Sequence, residues 1–193
     1  MTDHRDPVAL AYVAATVPGG ADGSPPIAGE WLRLRGATSV GWASDESAVV
    51  LAGADPTELG AAATGAGSRD ARPLAPTARP TDHPPAVAAG VVALRWFDLA
   101  AADWDEFLDL SVGAWPAFES SFDATILGLF RATDVEAPDA TALLVTHYAS
   151  LAVWEESRTV LAARSGSLAN SGRRFLRRHE ITRRSVVRIG RPV

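Results

Sequence analysis

The chain reads as an α+β protein built from two tandem ferredoxin-like modules, each β-α-β-β-α, that close into a barrel within one chain, the first module being degenerate. Three observations predict this. Residues 91–164 carry apolar periodicities in the order β-α-β-β-α, and residues 7–65 run through an abbreviated version of the same order. Between them, residues 66–90 hold five of the thirteen prolines and almost no large apolar side chain, the composition of a partly extended linker.

In the second module, Val91-Val92-Ala93-Leu94-Arg95-Trp96-Phe97 is rich in strand formers. The acidic start Asp103-Trp104-Asp105-Glu106 precedes Phe107, Leu108, Leu110, Val112, Trp115 and Phe118 at helical spacing, which predicts a helix over 102–120 that Pro116 kinks or ends. Two strands follow, Thr125 to Arg131 and Thr141 to Tyr148, joined by the turn-like TDVEAPDA. Ser150 then caps a helix through Leu151, Trp154, Arg158 and Leu161, with Glu155 and Glu156 in its early turns.

The first module matches piece by piece. Val8 to Val13 corresponds to Val92 to Phe97, Ala37 to Trp42 to Ala124 to Leu129, and Ala48 to Leu51 to Ala142 to Val145, at offsets of 84, 87 and 94. Asp55-Pro56-Thr57-Glu58-Leu59 starts the closing helix, and the first helix shrinks to about Ile27 to Leu34. A β-α-β-β-α unit covers one sheet face with helices and leaves the other bare, so two units stacked by their bare faces close a barrel. Alternation along the strand gives Val92, Leu94 and Trp96 to the helices and leaves Ala93, Arg95 and Phe97 for the barrel interior.

Composition narrows the chemistry. With no cysteine, thiolate metal sites, disulfides and cysteine nucleophiles are excluded, and because all 18 basic residues are arginine, Schiff-base and P-loop lysines are excluded too. No stretch reaches the length of an apolar membrane span, and the N-terminal MTDHRDP is acidic where a secretory signal is basic and apolar, so a cytoplasmic location is expected. The net charge of −5 is an average over two unlike parts. Residues 172–193 carry eight arginines and one glutamate, and residues 1–171 ten arginines and 22 acidic residues. Arg173, Arg174, Arg177 and Arg178 around Phe175, Leu176 and Ile181 suit an amphipathic helix within the 165–193 tail, with Ser185 to Ile189 as an added edge strand. Such a tail docks on its own acidic body or on a second subunit of a homodimer in preference to nucleic acid.

The run Ala93-Leu94-Arg95-Trp96-Phe97 resembles the E-L-R-x-Y opening strand of the NIPSNAP family, within the dimeric α+β barrel superfamily. The runs 114–119 (AWPAFE), 127–131 (LGLFR) and 146–155 (THYASLAVWE) resemble its bacterial members in order and spacing. The resemblance covers residues 91–164. It departs from the family where Ala93 replaces the glutamate, and Ala11 stands in the first module where Arg95 stands in the second. It implies an intrachain dimeric α+β barrel. Superfamily relatives include cofactor-free monooxygenases, polyketide cyclases, muconolactone isomerases and heme enzymes such as chlorite dismutases, so fold alone selects no reaction.

Four residues are candidates for the site: Arg95, His147, Tyr148 and Glu119. A guanidinium between large apolar neighbours needs a partner, so Arg95 either pairs internally with Glu119 or Glu155 or holds a carboxylate or enolate oxygen of a ligand. His147 and Tyr148 are adjacent on a strand and point to opposite faces; His147, in phase with Leu143 and Val145, is either a base or heme ligand or a hydrogen-bonded structural histidine. Trp115 and Glu119 share a helix face, where Glu119 is either a proton acceptor at a pocket mouth or a solvated or arginine-paired carboxylate. No metal-ligand spacing and no G-x-S-x-G context occurs, so no metal, no cofactor and no hydrolase triad is expected. The expected function is binding of a small organic molecule in the barrel interior, as a cofactor-free monooxygenase, cyclase or isomerase. The rival is a non-catalytic interaction module with a packed barrel and a docking tail.

Overall fold

A computed structural model describes residues 10–18, 26–36, 46–163 and 169–193. The chain orders as β1 (Ala11–Pro18), β2 (Glu30–Gly36), β3 (Glu46–Gly53), α1 (Pro56–Gly65), β4 (Arg72–Pro76), β5 (Val91–Ala100), α2 (Trp104–Ser121), β6 (Ala124–Ala132), β7 (Asp139–Tyr148), α3 (Leu151–Ala163), α4 (Ala169–Ile181) and β8 (Thr182–Pro192). All eight strands pair antiparallel into a closed barrel in the order β1-β3-β2-β8-β5-β7-β6-β4. Within each half the strands stand fourth, first, third, second: β4-β1-β3-β2, then β8-β5-β7-β6. That is the ferredoxin-like order twice over, with the first half lacking its first helix among the described residues.

Local chemistry explains most elements. Asp55 caps α1 by accepting a hydrogen bond from the Thr57 amide at 2.7 Å, and Pro56 follows at the first helical position, where its missing N–H costs nothing. Asp105 and Glu106 sit in the first turn of α2, where carboxylates oppose the helix dipole. Pro116 does not end α2, which continues through it to Ser121.

Three expectations are corrected. Residues 27–34 form no helix: Leu32 and Leu34 alternate with Arg33 and Arg35, the period-two pattern of a strand, and both leucines are buried in the barrel as part of β2. The segment 66–90 is more than a linker, because β4 lies in it and bridges β1 and β6, with Leu74 opposite both Tyr12 and Ala132. Its prolines do not break the ladder, since the carbonyl of Pro73 accepts from the Thr133 amide at 3.0 Å. The C-terminal strand is not at an edge, since β8 pairs with β5 on one side and β2 on the other. The strand expected at 8–13 lies at Ala11–Pro18, and the one expected at 37–42 lies outside the described residues.

The side chains divide into three layers. Tyr12, Leu32, Leu34, Val50, Leu74, Val92, Leu94, Phe130, Leu143 and Val145 fill the barrel interior. Val13, Ala15, Val17, Val49 and Leu51 pack outward beneath α1 through Leu59 and Ala63. The second half presents Val91, Ala93, Phe97, Leu99, Leu129 and Leu144 outward to Trp104, Phe107, Trp115 and Phe118 of α2. The two faces of β5 are thus the reverse of the expectation: Val92, Leu94 and Trp96 look into the barrel, and Ala93, Arg95 and Phe97 look toward the helices. Alternation separates the two sets but cannot say which side each meets when both faces of the sheet are buried.

Candidate functional site

Because α2, α3 and α4 stand off the outer face of β5, β7 and β8, a cavity of about 670 Å³ remains between helices and sheet. Its floor is Ala93, Arg95 and Phe97 of β5, Leu144, Thr146 and Tyr148 of β7, and Ser185 and Val187 of β8. Trp115 and Phe118 of α2, Ser157 and Arg158 of α3, and Phe175, Leu176, Arg178 and His179 of α4 close it above.

The polar groups converge from different elements. Arg178 is in the last turn of α4, three residues after Phe175, so both lie on the helix face turned to the sheet. Its guanidinium lies 5.1 Å from the ring centre of Phe97, 5.9 Å from Phe107 and 5.0 Å from Phe175. Ser111 steadies it. The Ser111 hydroxyl donates to the Phe107 carbonyl at 2.7 Å and accepts from Nη1 of Arg178 at 3.3 Å. Desolvation, reinforced by the like charge of Arg95, pulls Arg178 down to about 10. Arg95 is lowered for the same first reason, with the Tyr148 hydroxyl opposing the shift and Arg158 adding to it. Burial raises Tyr148, against the pull of both arginines and its hydrogen bonds with Ser157 and Thr146. Near neutrality, therefore, both guanidinia are charged and Tyr148 is a neutral donor. Among the described residues no aspartate or glutamate lines the cavity, and none pairs with Arg95 or Arg178.

A second hollow of about 520 Å³ lies on the other side of β5 and β8, at the barrel mouth, and it is charged in both signs. Arg72 pairs with Asp134 at 3.2 Å while stacking 5.4 Å from Trp96, and Asp98 accepts from Thr141 at 3.0 Å. Asp70, although desolvated, is held below the usual carboxylate range by hydrogen bonds from Thr16 and Ser68 and by the charge of Arg188. Internal compensation of this kind leaves little for a ligand to neutralise. The helix-side cavity is therefore the candidate site.

Of the four residues singled out from the sequence, Arg95 and Tyr148 line this cavity together and the other two do not. His147 is in phase with Leu143 and Val145, at the end of the barrel, where Nε2 lies 2.9 Å from the Ala89 carbonyl; it cannot serve a group seated on the helix side of the sheet. Glu119 turns away from the cavity, binding Arg79 at 2.7 Å and accepting from the Ile126 amide at 2.8 Å. It is the arginine-paired carboxylate, with Arg79 in place of Arg95. Replacing Glu119 by Ala should cost about 1–3 kcal/mol in urea unfolding, since the Ile126 amide and Arg79 lose one acceptor together. Glu119→Gln, which keeps an oxygen for that amide, should cost distinctly less, and equal losses would refute the anchoring role. Among the described residues no group of three or more His, Asp or Glu side chains is placed to hold a metal ion, and no helix is long and apolar enough to cross a membrane.

Arg178 was the residue missed. Its signal was present, because Phe175, Arg178 and Ile181 recur at three-residue steps and put the arginine in the apolar stripe of α4.

No protein-family model and no curated protein matches the sequence. Solved structures do match across nearly the whole chain. An anthrone oxidase-like protein superposes with a TM-score of 0.63 at 10% identity, covering 96% of this chain and 92% of that one. A protein assigned as a monooxygenase from Fusobacterium nucleatum subsp. nucleatum gives 0.56 at 7% identity, covering 96% and 93%. Another so assigned, from Lactobacillus acidophilus, gives 0.56 at 10%, with the same coverage. At these identities the likeness is one of fold, and the fold is the dimeric α+β barrel.

Proposed function

We propose that the protein binds a small organic molecule between the helices and the outer face of β5, β7 and β8, and acts on it without a bound cofactor as a monooxygenase, cyclase or isomerase. The observation that carries this reading is a cavity walled by aromatic side chains into which Arg95, Arg178 and Tyr148 project with no carboxylate among them. Those three reaction types share an enolate or phenolate intermediate. Fixed positive charge and a neutral hydroxyl donor favour such an oxyanion most where water is scarce. Tyr148 would donate to the developing oxyanion, the nearby positive charge of Arg95 and Arg178 would favour it through space, and Trp115 and Phe118 would orient the apolar body. The names of the anthrone oxidase-like and monooxygenase neighbours favour oxygenation among the three. The resemblance of residues 91–164 to NIPSNAP proteins is part of this reading, and the cavity replaces the barrel interior as its site.

Oxygen uptake with anthrone as substrate tests it. Turnover is expected, falling at least about tenfold in Arg95→Met, which removes a positive charge from beside the oxyanion, and in Tyr148→Phe, which removes its donor. Uptake indifferent to both variants would overturn the assignment. The rival, a non-catalytic module, draws on the packed barrel interior and would show as neither oxygen uptake nor conversion of a bound ligand. Its docking tail is already engaged within the chain: Arg177 forks onto Glu106 at 2.7 and 3.0 Å, and Arg183 pairs with Asp139.

A further inference from the structure

Described arginines outside the cavity that have a carboxylate partner include Arg33 with Glu30, Arg72 with Asp134, Arg79 with Glu119, Arg177 with Glu106 and Arg183 with Asp139. Several of these are at the surface, where water alone would suffice. Arg95 and Arg178 are strongly desolvated and have none among the described residues, although a guanidinium withdrawn from water has great need of one. What surrounds Arg178 is a serine hydroxyl and three aromatic rings, which hold the guanidinium in place without neutralising it.

We infer that the missing anion belongs to the ligand, and that the ligand is an aromatic carboxylic acid whose carboxylate lies between Arg95 and Arg178. This rests on the reading that the helix-side cavity is the binding site. The choice of carboxylate follows from the donors. Two guanidinia offer two planar forks, and a carboxylate has two oxygens with about four acceptor positions, enough to meet both, while a phenolate or enolate has a single oxygen. The choice of an aromatic body follows from the walls. Phe97, Trp115, Phe118 and Phe175 provide ring faces on both sides of the cavity, and an inorganic anion would leave them unfilled. The Tyr148 hydroxyl gives a third donor at the floor. Arg158, over the ring of Trp154 at 4.6 Å, adds a further positive charge at the rim.

Calorimetric titration of the intact protein at neutral pH and low ionic strength with 2-naphthoate, its neutral counterpart 2-naphthalenemethanol and inorganic phosphate tests the inference. Naphthoate should bind at least about tenfold more tightly than the alcohol, the size expected of one charge-assisted contact, and phosphate should compete only weakly. Arg178→Met should bring naphthoate down to the alcohol's affinity and so remove the preference, and Arg183→Met, on the surface, should change neither affinity. The naphthoate-to-alcohol ratio in the unmodified protein decides the matter even if Arg178→Met fails to fold. Equal affinity for the two naphthalenes would overturn the carboxylate inference while leaving the binding cavity standing. Phosphate displacing naphthoate at equal concentration would overturn the aromatic part. Failure of both naphthalenes to bind would overturn the cavity reading itself and the inference with it.

Discussion

Phe130→Ala is expected to destabilise the protein by about 3–5 kcal/mol, a large fraction of the 5–15 kcal/mol that holds a typical domain. Phe130 is fully buried at the centre of the barrel, with its ring 4.8 Å from that of Tyr12 and 6.2 Å from that of Trp31. Both neighbours come from the first half, so this ring is where the two halves meet inside. Its place is prepared by Gly128, where a β-carbon would stand 2.5 Å from the Phe130 ring, and by the register shift that β6 makes between Ile126 and Gly128. Truncation removes the ring and leaves a void that neighbouring strands, tied by hydrogen bonds on both sides, cannot collapse to fill. Urea unfolding followed by tryptophan fluorescence measures the loss. A change under about 1 kcal/mol would mean that the interior is less tightly packed than these contacts show.

Gly190→Val should be as severe by another route. A β-carbon at Gly190 would stand 2.6 Å from the Leu34 β-carbon and 2.7 Å from the Arg35 carbonyl oxygen. Neither atom is the end of a flexible side chain, so β8 and β2 must separate. Among the described residues that seam is short: Leu34 pairs with Pro192, Arg35 with Arg191 and Gly36 with Gly190, and the Val193 amide adds one bond to the Arg33 carbonyl at 3.2 Å. The expected result is a fall of many degrees in Tm and fast amide exchange along β2, with exchange in the β5–β7 ladder less affected. Gly60→Ala is the contrasting control. Its β-carbon meets nothing within 4 Å on α1, and it should raise stability by about 0.5–1 kcal/mol. An unaltered Tm in Gly190→Val would show that the seam tolerates displacement.

The second half was legible from Phe107 to Trp154 because its helices and strands are long, periodic and bounded by cap and turn residues. The first half was read less well for a physical reason. Leu32 and Leu34 sit in a seven-residue strand next to glycines and prolines, too short for its period to stand out, and β4 buries only Leu74 between two prolines. The site was legible in its residue types and not in its location. The sequence singles out Arg95 as a charge needing a counterpart and Tyr148 as the other face of β7 from His147, yet alternation alone cannot tell the barrel side from the helix side. Glu119 was read with the right helix face and without Arg79, because a partner 40 residues away in the proline-rich segment leaves no local trace. Arg178 lay in plain view in the apolar stripe of α4, masked by the abundance of arginine around it.

The position of β8 has a consequence for how the chain comes to be folded. Thr182–Pro192 are synthesised after every strand they join, so β2 and β5 must each wait with one edge open until the rest of the barrel exists. A nascent chain arrested before Thr182 would display two unpaired edges and an unsealed interior, the kind of surface that recruits chaperones or a second unfinished copy. Cyclic closure thus makes the two halves one cooperative unit, and it makes the arrival of β8 the step that protects the molecule from its own kind.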